Sequence, residues 1–240
     1  MNARLVLLTT LISCLPPAAR GAVTMTVGGT NNPSTDAFDQ FNFVKDATIP
    51  GGSFNQQAFT DNAGPPGQTF TTPGGSTSFS LKTVGYLGAA NTSANFGGGV
   101  FTAGTTFGVR ISSVAGTNLT ALLTVTNIAT TVGAAGDNWF LWNFTGADVL
   151  TLQPSKTYAF EVYSSAGYLG FDAAIAPGSY ANGVAFNSTG VARQFSSNFI
   201  QDRGYDRTFY VDLAPVPEPG TVMLGLSGIA MALGLRRFRR

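Results

Sequence analysis

The stretch LTLQPSKTYAFEVYSS, Leu150 to Ser165, holds two apolar runs parted by a turn. An apolar run stops at Gln153-Pro154, and Ser155 and Lys156 make a turn. Then Tyr158, Phe160 and Val162 fall on one side of an alternation while Ala159, Glu161 and Tyr163 fall on the other. Proline fixes its own φ and lacks an N–H for a sheet ladder, so it ends the first run. A repeat of two is the spacing of a strand with one buried face. The reading is strand, turn, strand, with Glu161 directed away from the core.

Working outward, the same phrasing recurs. Ser78 to Val84 places Phe79, Leu81 and Thr83 on one face, and Thr106 to Ile111 does so with Phe107, Val109 and Ile111. Leu122 to Ile128, Trp139 to Thr145, Thr157 to Tyr163, Val184 to Phe186 and Thr208 to Leu213 are further strands. Val23 to Val27, Phe41 to Val44, Phe70 to Thr72, Val149 to Leu152 and Tyr168 to Ala173 are weaker ones. No helical period appears between Ala22 and Ala214. About ten to twelve short strands bounded by Gly, Asn, Pro and Ser predict an all-β body, a single jelly-roll-like β-sandwich. Asn31 to Ser34 and Asp61 to Gly75 read as long surface loops, or as a linker after a small N-terminal hairpin. Gly28-Gly29 and Gly97-Gly98-Gly99 lack a following Lys-Ser/Thr pair, so they read as hairpins or loops and not as phosphate cradles.

Composition narrows the function. The chain has 30 Gly, 19 Phe and 10% charged residues, which suits an exported all-β protein better than a cytoplasmic helical one. With no histidine, Ser-His-Asp and Cys-His catalysis and histidine-ligated metals are excluded. A single cysteine, Cys14, cannot form an internal disulfide, so packing must hold the body together. The net charge of +1 hides an asymmetry: six arginines sit in the two ends, and the middle carries seven basic against eleven acidic residues. A body without a basic surplus does not suit a nucleic-acid partner.

The ends read as targeting segments. Arg4, an apolar run from Leu5 to Leu15, a break at Pro16-Pro17 and small residues at Ala19 and Gly21 make a secretory signal peptide over residues 1–21, cleaved after Gly21. Leu11-Ile12-Ser13-Cys14 also resembles a lipobox, which leaves a lipoprotein as the alternative. At the other end Thr221 to Leu235 is uncharged, a helix of ~22 Å that snorkelling arginines extend toward a bilayer span. Arg236, Arg237, Arg239 and Arg240 would hold its end on the cytoplasmic side. The domain division is thus 1–21, 22–214 and 215–240.

Val216-Pro217-Glu218-Pro219-Gly220, then an apolar helix, then an arginine cluster resembles the PEP-CTERM sorting signal of Gram-negative bacteria. The resemblance covers about the last tenth of the chain. It implies a tail parked transiently in the inner membrane and an exosortase, a multi-pass membrane protease, that cuts near Pro-Glu-Pro. Release to the cell surface or extracellular matrix would follow. Pro217 and Pro219 keep the backbone extended, as a protease requires, and Glu218 becomes a recognition element.

Without histidine, the catalytic option left is a pair of carboxylates among Asp137, Asp148, Glu161, Asp172, Asp202, Asp206 and Asp212. Only Glu161 sits mid-strand, and Asp202 to Arg207 reads as a solvated, salt-bridged loop. For binding, Trp139 and Trp142 are three apart on a strand and face opposite sides, one in the core and the other a candidate for exposure. An exposed indole stacks on sugars, and Tyr168, Tyr180 and Tyr205 could join it from loops. No Asp-X-Asp-X-Asp calcium loop is present, so neither a metal nor a cofactor is expected. The expectation is a non-enzymatic, exported surface or matrix protein. It would have the export machinery, an exosortase and exopolysaccharide as partners. A secreted carbohydrate-active enzyme and a permanently anchored ectodomain are the alternatives.

Overall fold

In the computed structural model, residues 21–43, 65–88, 103–131, 133, 138–164, 173–174, 180–188, 195–201 and 206–217 are described. Their period-two segments form strands: β1 (Ala22–Val27), β2 (Gln40–Asn42), β3 (Pro66–Thr71), β4 (Phe79–Leu87), β5 (Thr106–Ala115), β6 (Asn118–Ala129) and β7 (Trp139–Thr145). After a 3-10 turn at Gly146–Asp148 come β8 (Thr151–Leu152), β9 (Thr157–Ser164), β10 (Ala173–Ala174), β11 (Ala185–Ser188), β12 (Phe199–Gln201), β13 (Asp206–Arg207) and β14 (Phe209–Pro215). Among the described residues no helix is long and apolar enough to cross a membrane. The expected signal helix and the tail helix from Thr221 lie outside the described residues.

Two antiparallel sheets carry the body. The first has the order β1-β7-β4-β14-β2, with β8 also against β4; the second has the order β12-β11-β3-β9-β5-β6. Within them β2-β14-β4-β7 faces β3-β9-β5-β6. Chain order through these eight strands crosses between sheets at every step except the β5–β6 hairpin. That is the double Greek key of a jelly roll. The sandwich expected from sequence is therefore present, with β1, β11 and β12 added at its edges.

Alternation explains the core. Phe79, Leu81, Val84 and Tyr86 of β4, Phe140, Trp142 and Phe144 of β7, and Phe209, Val211 and Leu213 of β14 point inward from the first sheet. Phe70, Phe107, Val109, Ile111, Tyr158, Phe160 and Val162 meet them from the second. Each such side chain stabilises the body by about 1.5–3 kcal/mol relative to exposure. The rings interlock: Tyr86 stacks on Phe160 at 4.6 Å, and Phe107 meets Trp142 edge-on at 6.0 Å.

Three sequence expectations are corrected. Thr83 does not share the inward face with Phe79 and Leu81, because the β14–β4 register shifts between Asp212 and Leu213 and turns Val84 inward instead. Thr83 faces outward and its hydroxyl donates to Asn143 Oδ1 at 3.1 Å. Asp61 to Gly75 is not all loop, since Pro66–Thr71 forms β3 between β11 and β9. Pro66 is tolerated as the first strand residue, and Gly67 is needed because the Phe186 ring lies 2.1 Å from where a Cβ would stand. Finally, β1 and β2 do not make a hairpin. They occupy opposite edges of the first sheet, and Tyr210 Oη, on its outer face, donates to Ser34 O at 3.1 Å, which ties down the connection between them.

At the edge of the second sheet, β6 carries no charged side chain and leaves Leu122 exposed. Its pairing with β5 slips twice, around Leu122 and around Asn127, where φ is +61°. Bulges of this kind twist an edge away from foreign strands.

Candidate functional site

Glu161 is directed away from the core, as its alternation requires, yet it is fully buried. Arg110 of β5 lies directly opposite it in register, and its Nε donates to Glu161 Oε2 at 2.6 Å. Ser188 of β11 donates to Oε1. A short strap covers the group: Ser196 O accepts from Arg110 Nη2, the Phe195 ring lies 4.8 Å from the guanidinium carbon, and Ser197 O accepts from Leu119 N at 2.7 Å. Burial pushes the Glu161 carboxyl above its ordinary range, and the Arg110 charge, followed by the bonds from Ser188 and Arg110, pulls it partly back. Both carboxylate oxygens are thus engaged in holding the strap side of the sheet.

Asp206 is the second buried carboxylate. It accepts from Gln68 Nε2 at 3.0 Å and from Tyr180 N at 3.0 Å. Its neighbour Arg207 donates to Gly67 O at 3.2 Å and places its guanidinium carbon 5.8 Å from the Tyr86 ring centre. The solvated loop expected at Asp202 to Arg207 is therefore corrected for its last two residues, which are buried because Gln68, Gly67 and Asn187 satisfy them. Gln68 shares its face with Phe70, whereas Gly67 and Glu161 share the opposite one. The sheet lies between the two buried carboxylates. Asp148 sits half-buried in the 3-10 turn, and Asp137, Asp172 and Asp202 fall outside the described residues.

A third set of acids lies on the outer face of the first sheet. Asp39 accepts from Leu213 N at 3.0 Å and from Tyr210 Oη at 3.2 Å, and Asp36 N donates to it at 2.9 Å. Burial raises the Asp212 carboxyl; Asp39 and Asp36 raise it further, and Lys82 opposes them. A raised carboxyl contributes most to stability below its ordinary value and progressively less as pH climbs through the raised one. Asp212→Asn should therefore raise stability near pH 7 by a few tenths of a kcal/mol, with the gain vanishing below about pH 4. Thermal unfolding at the two pH values checks this, and a loss at pH 7 would show that the carboxylate is held by a favourable contact. Among the described residues no group of three acids or cysteines is placed to hold a metal ion.

The aromatic candidates land differently from expectation. Trp139 and Trp142 do face opposite sides, but both are buried, at 1% and 0% exposure, so the ring expected at the surface is covered. Trp142 is in the core, and Trp139 packs with Leu87, Tyr210, Phe43 and Leu141 on the outer face of the first sheet. Phe43, just past β2, meets its ring edge-on at 5.7 Å. Tyr180 is buried as well; its hydroxyl donates to Gln40 Oε1 at 2.9 Å, and burial raises its pKa to about 12. Tyr168 and Tyr205 lie outside the described residues. Among the described residues, the large aromatic left exposed is Phe41 on β2, stacked on Phe43 at 4.5 Å. Sequence alone carried no signal for it, because alternation does not say which outer face acquires a cover.

At the C-terminus β14 leads straight into the tail. Pro215 pairs with Phe79, and Val216 N donates to Ser78 O at 2.8 Å. Residues 215–240 match the PEP-CTERM protein-sorting motif, so the resemblance carried by Val216 to Gly220, the apolar run and the terminal arginines is confirmed as a motif match. No curated protein matches the chain, and no solved structure does. The chain is an all-β body carrying a PEP-CTERM tail. That tail implies exosortase-dependent sorting and export through the membrane to the cell surface.

Proposed function

We infer that the protein is a non-enzymatic component of the cell surface or extracellular matrix, delivered by its tail and associated there with exopolysaccharide. The carrying observation is the sorting motif that begins where the last core strand ends. Two further features support a structural role for the body. Its buried carboxylates are engaged by Arg110, Ser188, Gln68 and the Tyr180 amide, which are tasks of holding the fold. Phe41 offers a partly exposed ring of the kind that stacks on sugars. The N-terminal signal is removed on export, and the tail helix resides in the inner membrane until it is cut.

Removing Glu218 to Arg240 leaves the described body intact and tests the route. The truncated protein is expected in the periplasm or medium, with its surface or matrix fraction lost by about an order of magnitude or more. Fractionation with immunoblotting reads this, and an unchanged surface fraction sinks the sorting role. Polysaccharide retention without turnover by the purified protein supports association, whereas turnover identifies a carbohydrate-active enzyme.

A further inference from the structure

The sandwich and the sorting motif share residues. The matched segment starts at Pro215, which is still paired in the sheet, and Val216 keeps its backbone bond to Ser78. Only Pro217 to Gly220 separate that bond from the apolar run starting at Thr221. Four extended residues reach at most about 14 Å. The other exit lies at the same end of the body. β1 starts with Ala22 opposite Thr145, where β7 finishes, and Gly21 fits against Asp148 so closely that a Cβ would stand 2.6 Å from the Asp148 nitrogen. β4 begins at this end too, with Phe79 beside Leu152. Ser76, Ala147 and Gln153 are exposed around the two exits.

We propose that this end of the sandwich is the face that the folded body sets against the membrane-embedded sorting peptidase, and that the pairing of β14 through Val216 confines the cut to bonds beyond Val216. The inference rests on the exosortase reading above. A peptidase grips extended backbone from both sides, and just upstream of Pro217 one side is occupied, by the pairing of Ala214 and Pro215 with β4 and by the Val216 N–H bond to Ser78 O. On so short a tether, an enzyme working at the membrane surface must meet the loops around the exits. The body is thereby part of the substrate.

The test uses the full chain in a host with an active exosortase. Ser76→Arg and Ala147→Arg alter the exit end, Thr131→Arg alters the opposite end, and each is made with and without a Gly/Ser spacer of about eight residues between Val216 and Pro217. At native spacing, the two exit-end variants are expected to slow tail removal about threefold or more, and Thr131→Arg to leave it unchanged. With the spacer, all variants are processed at the rate of their spacer-bearing parent. Intact mass places the new C-terminus at Pro217 or beyond. Wild-type rates for both exit-end variants, equal slowing by Thr131→Arg, or a C-terminus at or before Val216 overturns the proposal. A wild-type chain whose tail is never removed instead overturns the sorting reading on which it rests.

Discussion

Replacing Arg110 by alanine is expected to cost about 3–5 kcal/mol of stability at neutral pH, because it leaves the Glu161 carboxylate fully buried without its cation. Ser196 O loses a donor in the same step, so the strap over β5 and β9 loosens with it. The sign of the pH dependence follows from the carboxyl. Burial already raises it and Arg110 pulls it down, so removing Arg110 lets it rise further. A carboxyl raised in the folded state favours folding below its ordinary value and works against folding as pH climbs through the raised one. The deficit of Arg110→Ala should accordingly be largest at neutral and alkaline pH and shrink as pH falls toward about 4.5, where a protonated Glu161 needs no cation. Urea unfolding across this range reads both magnitude and slope. A cost below about 1 kcal/mol, or a deficit that grows on acidification, is incompatible with an ionised Glu161 in need of Arg110. The double change Arg110→Met with Glu161→Leu should recover most of the loss, since neither charge is then stranded.

Trp142→Ala is the second large effect, with an expected loss of about 3–5 kcal/mol. The indole is fully buried between the sheets, in edge contact with Phe107 and inside the cluster formed with Val84, Phe140 and Phe209. Truncation leaves a cavity that two sheets pinned by their ladders cannot close. Trp142→Phe should cost far less than the alanine change. It keeps a ring in place and removes an indole N–H that has no hydrogen-bond partner among the described residues, a group whose burial is itself costly. Trp139 remains as the fluorescent reporter in both variants, so the unfolding transition can be followed by emission. Equal costs for the two substitutions would show that ring volume is not what Trp142 supplies.

Much of this architecture was legible because a strand buried on one face announces itself at every second residue. Alternation alone gives Trp139–Thr145 with both of its ends in place and puts Phe107, Val109 and Ile111 on the correct face. The misreadings of Trp139 and of the surroundings of Glu161 share one cause: chain segments that cross the sheets. Alternation around Glu161 and Trp139 indicates an outward direction, and outward ordinarily means solvent. Here the connection that carries Ser34 and Asp39 covers one outer face, and Phe195 to Ser197 covers part of the other. Arg110 and Glu161 are 51 residues apart, a separation that gives no hint of contact. Thr83 was misplaced by one extra residue at the β14–β4 register shift, which composition does not mark. The tail was readable for the opposite reason: its Pro-Glu-Pro, apolar run and arginines act in linear order and require no partner from elsewhere in the fold.

The position of β14 also sets the order in which the body can be completed. It lies between β4 and β2, and among the described strands β2 has no other partner in its sheet. The contact from Tyr210 to Ser34 spans 176 residues. Contacts so distant along the chain form late and slow folding, since a large loop must close before they contribute. For a chain that emerges N-terminus first, one sheet therefore stays open until its final strand has crossed, and the apolar run of the tail follows only a few residues later. On the route proposed above, the body stays threadable until β14 has emerged and can lock only as the apolar run after it arrives.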